Sequence, residues 1–259
     1  MENNSTWMPS QPSPASWKPN AFAPVPSVLF ALGAVFFTFA PIFLYLILAV
    51  AGGRLDPRHP AGFSAIDQIY AQILSYAVVL PYMLYFLPRV SGRSLADLGI
   101  RTPTLREIGI GVAGVVVMFF TVSAASAIIV GVTHIHDTEA AVALLQQMKT
   151  PFDKTVFILV AAVLAPIVEE MAFRAFLFNA FARYVPVAAA AIGSGIVFGL
   201  VHAQPGSQSL LSISLPLALG GIVLAYVYRT ARCYWSDVIT HALFNSISLV
   251  AVFGFHVKS

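Results

Sequence analysis

Six polar side chains interrupt an apolar background in the C-terminal part of this 259-residue chain. They are Glu169, Glu170 and Arg174 in EEMAFR, His202 in FGLVHA, and His241 and Asn245 in THALFNS. Ionisable groups set in apolar sequence are costly, and they persist where they pair or work. Glu170 and Arg174 stand four residues apart with the acid first, the favourable order for a helical ion pair, and arginine can grip a carboxylate with a fork of donors. Glu169 is turned about 100° around the helix from Glu170, cannot share that geometry, and is expected to face a cavity. His241 and Asn245 fall on one helical face. Together these groups offer a carboxylate and an imidazole to activate a water, and an imidazole and an amide to hold an oxyanion. That chemistry is hydrolytic and needs no serine or cysteine nucleophile. The competing structural reading makes Glu170 and Arg174 architectural and the histidines and asparagine interhelical hydrogen-bonding groups.

The elements that must position them are membrane helices. The chain is 58% hydrophobic and 10% charged, with a mean hydropathy of +0.83, outside the range of ordinary soluble domains. Apolar stretches lie at about 27–51, 66–88, 107–132, 155–182, 187–203, 208–228 and 235–255. Each approximates a span, and none alternates with the period of two that a membrane strand requires. The expected fold is an all-α, polytopic transmembrane bundle of about seven spans. It is organised as a disordered tail at 1–26, N-terminal helices at 27–133, an extramembrane loop at 134–154 and a catalytic core at 155–255. Lys18, Arg89, Arg93, Arg101, Arg106, Arg183, Arg229 and Arg232 fall on one side of this arrangement, which predicts a cytoplasmic N-terminus. Arg54, Arg58, Lys149, Lys154 and Lys258 fall on the other. The net charge of +3 is accounted for by basic loops at a membrane surface and implies no nucleic-acid partner. Cys233 is the single cysteine, which excludes an internal disulfide.

The ordered triple EEMAFR, FGLVH and HALFN resembles the three motifs of the CAAX prenyl endopeptidase and bacteriocin-processing (CPBP or Abi) family of intramembrane proteases. The resemblance covers about residues 155–250. It implies that Glu169 and His202 activate the attacking water, that His241 and Asn245 hold the oxyanion, and that Glu170 and Arg174 support the geometry. It also implies a peptide or membrane-protein substrate, lipidated C-termini included. Both metal-dependent and glutamate-dependent mechanisms have been argued for the family. The chain contains no His-Glu-x-x-His, yet Glu169, His202 and His241 could hold a zinc ion and leave a fourth position to water.

Two other classes of function remain open on the residues alone. One is a noncatalytic membrane protein that binds a peptide or partner, as in bacteriocin immunity. The other is a proton-coupled transporter, for which two related halves would be expected and no internal repeat is found. His134, His136 and Asp137 form a second, weaker candidate metal cluster, whose ordinary reading is a solvated loop. Gly220 and Gly221 read as a close helix contact.

Overall fold

The computed structural model describes residues 21–55, 64–135, 140–203 and 210–254, and among them it contains helices and no strand. The helices are α1 (Pro24–Ala51), α2 (Ala65–Ser91), α3 (Leu105–Thr133), a short α4 (Ala140–Gln147), α5 (Pro151–Ala182), α6 (Val187–Val201), α7 (Leu210–Ala231) and α8 (Tyr234–Gly254). Local sequence explains their ends. Thr104 and Glu107 form a reciprocal capping box that opens α3, and Thr150 and Asp153 do the same for α5, whose first residue is Pro151. Each box satisfies helix N-terminal N–H groups that have no intrahelical acceptor. Gly92 ends α2 at φ 64°, a left-handed backbone that glycine adopts without steric cost.

Each of the seven expected stretches contains a helix over most of its described residues, and among the described residues five helices, α1, α2, α3, α5 and α7, are long and apolar enough to cross a membrane. With 15 residues, α6 rises only about 22 Å, short of a hydrocarbon core of roughly 30 Å. Two local differences stand out. The loop expected at 134–154 holds α4 and the first turn of α5. Within the tail expected at 1–26, Phe22 is fully buried; its N–H donates to Val90 O, and its carbonyl accepts from the Tyr184 hydroxyl. Residues 1–20, His136 and Asp137 lie outside the described residues.

The exposed face of α1 carries Leu29, Leu32, Phe36, Phe39, Phe43 and Ile47, an apolar surface that water would penalise and lipid would not. The most apolar window of α1 is 11% buried against protein and that of α7 is 50% buried, so α7 is central and α1 peripheral. Close approach around α7 depends on glycine. A Cβ on Gly195 of α6 would stand 2.7 Å from Ala218 O, and one on Gly221 would stand 3.0 Å from Gly195 Cα. Gly221 thus makes the helix contact its sequence suggests, and that contact brings its carbonyl within reach of α5.

The loops expected on one side do meet at one end of the bundle. Phe22 joins Val90 and Tyr184, Tyr228 donates to Leu98 O at 2.8 Å, and the N–H of Tyr234 donates to Gly99 O. The arginines at 89, 93, 101, 106, 183, 229 and 232 belong to these segments.

Candidate functional site

Glu169 and Glu170 lie near the middle of α5 between two stretches of wider, π-helical backbone, Val160–Leu164 and Met171–Phe178. Pro166 gives the first a cause: it supplies no N–H, and its ring crowds the carbonyl four residues back. Such widening releases carbonyls from the helix ladder and recurs at functional sites. Here Asn245 on α8 donates through Nδ2 to Ala161 O at 2.9 Å. The second widened stretch is tied by Asn179, whose amide reaches Arg174 O at 3.0 Å and Ala175 O at 3.2 Å. Pro216 follows a third π-helical stretch, Leu210–Ser214, on α7 in the same way.

The Glu170–Arg174 pair forms as its spacing requires. Arg174 Nη1 donates to Glu170 Oε1 at 3.1 Å, and Nε lies 3.0 Å from Oε2 as an ionic contact. Arg174 Nη2 donates to Gly221 O at 3.0 Å, so one guanidinium joins α5 to α7. Both side chains are withdrawn from solvent, at 1% and 0% exposure. Removing either partner would leave an uncompensated buried charge, a loss of about 3–5 kcal/mol.

His241 lies between the two glutamates. Its Nδ1 is 2.7 Å from Glu170 Oε1, and its Nε2 is 3.9 Å from Glu169 Oε2. Because an ionised carboxylate only accepts, Nδ1 carries the proton in the first contact. The second is too long for a direct hydrogen bond, so Nε2 and Glu169 can converge on a third group. Glu169 is 23% exposed where Glu170 is fully buried. Consecutive residues therefore differ in kind: Glu170 is consumed by Arg174 and His241, and Glu169 retains access.

His202 caps the C-terminal end of α6, with Nδ1 2.7 Å from Phe198 O. Phe198 organises this side of the site. Its ring lies 4.7 Å from the His202 ring and 5.6 Å edge-on from the His241 ring, and the Arg174 guanidinium sits 4.6 Å from its centroid. The phenylalanine of FGLVH thus packs against both imidazoles. Asn245 lies one turn beyond His241, and its second amide N–H has no acceptor among the described residues.

As candidates for a metal, Glu169 and His241 are juxtaposed, but no three His, Cys, Asp or Glu side chains converge as a ligand set among the described residues. The arrangement is therefore a carboxylate–imidazole pair with an amide nearby.

Two residues at the site escaped the sequence reading. Tyr76 on α2 is a largely buried electrostatic neighbour of Glu169. Asp237 on α8 is fully buried, one turn before His241, and its carboxyl adjoins that of Glu170. The i, i+4 relation of Asp237 to His241 was available as a signal. Nothing in the sequence marks Tyr76 among the aromatic residues of α2.

Comparison with known proteins converges on the same segment. A family model described as "Type II CAAX prenyl endopeptidase Rce1-like" matches residues 151–247. Over 93 residues the chain is 28% identical to the "Putative membrane peptidase YdiL" of Bacillus subtilis (strain 168), a stretch covering 36% of each protein. No solved structure matches. The matched residues 151–247 run from α5 into α8 and hold every polar group of the site but Tyr76, so the part of the chain that carries the site is the part that is similar to the Rce1-like CAAX prenyl endopeptidases.

Proposed function

We propose that this protein is an intramembrane endopeptidase in which Glu169 is the general base for an attacking water. The observation that carries this reading is the division of labour between adjacent glutamates: Glu170 is buried and held, and Glu169 is partly open and faces His241 Nε2 at 3.9 Å. In the proposed step, Glu169, assisted by His202, takes a proton from water as its oxygen bonds to the scissile carbonyl carbon. The resulting oxyanion accepts hydrogen bonds from His241 and from the second N–H of Asn245. For His241 to donate through Nε2 while Nδ1 serves Glu170, its ring acts as an imidazolium between the two carboxylates. The C–N bond then breaks, and the proton held by Glu169 passes to the departing amine.

The substrate class we infer is a peptide or membrane protein presented at the bilayer, with lipidated C-terminal peptides as the first candidates. We also infer a cytoplasmic N-terminus, supported by the arginine-bearing segments that meet at one end of the bundle. The test is cleavage of a library of lipidated and unmodified peptides by the detergent-purified protein, with Glu169→Gln as control and a chelator in half of each reaction. Cleavage that depends on Glu169 supports the peptidase, and the chelated arm reports whether a metal such as zinc takes part. Unchanged cleavage by Glu169→Gln would overturn the assigned base. A folded wild type that binds peptides without cutting any would favour a binding or immunity protein.

A further inference from the structure

Asp237 has no role in the reaction above, yet it is one of the most enclosed polar groups in the molecule. It is 0% exposed, and neither carboxyl oxygen meets a hydrogen-bond donor of another residue among those described. Its carboxyl lies within side-chain hydrogen-bonding range of Glu170. Its other ionisable neighbours are Arg174, Tyr228 and Tyr234, and His241 bonds to Glu170.

Charge counting leads from this placement to a chemical state. Of the three carboxyls here, Glu170 and Asp237 are the two that are fully enclosed, and the Arg174 guanidinium and the His241 ring are both engaged by Glu170. An ionised Asp237 would therefore have no cation of its own in a dry interior. Glu170 receives Arg174 Nη1 and His241 Nδ1 on one oxygen, as an acceptor-only carboxylate does. Glu169 reaches solvent. Two carboxyls in contact cannot both ionise cheaply, and a proton on Asp237 turns that repulsion into a strong hydrogen bond to a charged acceptor.

We propose that Asp237 is a positioning residue: as a neutral carboxylic acid it donates a hydrogen bond to Glu170, completing the set of donors that fixes this carboxylate and, through it, the His241 ring. It touches neither substrate nor the reacting atoms. The catalytic part of this proposal rests on the peptidase reading, and the protonation part does not.

The experiment therefore has two arms on the detergent-purified full chain. In the first, infrared difference spectra of wild type, Asp237→Asn and Glu169→Gln are compared in the carboxylic-acid C=O region. The expected result is an acid band absent from Asp237→Asn and kept in Glu169→Gln. Absence of an acid band assignable to Asp237 would overturn the proposal whether or not any peptide is cleaved. In the second, Asp237→Asn, which keeps an N–H donor in place of the O–H, is expected to hold kcat within a few-fold of wild type. Asp237→Ala, which leaves Glu170 short of a donor, is expected to lower kcat on the order of tenfold with KM little changed. Loss of activity in Asp237→Asn equal to that in Asp237→Ala, with both proteins folded, would show that an ionised Asp237 is needed and would contradict the proposal.

Discussion

Two carboxylate–arginine pairs in this protein show how place decides what the same chemistry does. At the start of α3, Arg101 grips Glu107 at 2.5 and 3.1 Å while Glu107 also accepts the Thr104 N–H at 2.7 Å. Arg101 there is 38% exposed, so water screens the pair, and its worth is that of an exposed ion pair added to a helix cap. In α5, Arg174 grips Glu170 with comparable geometry but almost no exposure. There the charges have no alternative partner in water, and the pair is extended by Gly221 O, His241 and Asp237. The first pair closes a helix end; the second joins α5 to α7 and holds His241 in the proposed site.

That contrast can be broken at graded points. The largest stability loss is expected for Arg174→Met, which leaves Glu170 charged and buried: about 3–5 kcal/mol, read as a lowered Tm and a lower folded yield in detergent. Asn245→Ala is expected to keep the fold and to lower kcat about 10²–10³-fold, the usual scale for a lost oxyanion donor; the check is a rate measured on protein whose Tm matches wild type. Phe198→Leu should loosen both imidazoles without removing either. At about 0.5–1.5 kcal/mol for an aromatic pair, kcat is expected to fall between roughly twofold and tenfold. The smallest effect is expected for Arg101→Ala, no more than about 1 kcal/mol of stability, with a cleavage rate equal to wild type.

Much of this was legible in the sequence because it obeys helical spacing. The Glu170–Arg174 pair, the common face of His241 and Asn245, and the meeting of the basic loops all follow from which residues recur on one face or at one end. The glycine contact at Gly221 was legible too, though its carbonyl's bond to Arg174 was not. Tertiary placement hid the rest. Asp237 sits in the first turn of α8, where an acid ordinarily faces water and favours the helix dipole; only tertiary packing buries it. Tyr76 is one aromatic among several on α2. The widened turns around Glu169 and Glu170 had a cue in Pro166, but a proline inside a helix announces a distortion without saying which carbonyls it frees.

In the proposed function, adjacent glutamates divide chemistry from architecture. The most direct measurement is Tm and peptide cleavage, side by side, for wild type, Glu169→Gln and Glu170→Gln in the same detergent. Glu169→Gln is expected to melt with wild type and to lose about 10²–10⁴-fold in rate, while Glu170→Gln, which leaves Arg174 without its carboxylate, is expected to melt lower and to lose rate along with its fold. Cleavage by Glu169→Gln at the wild-type rate, or a Tm for it as low as that of Glu170→Gln, would contradict the division.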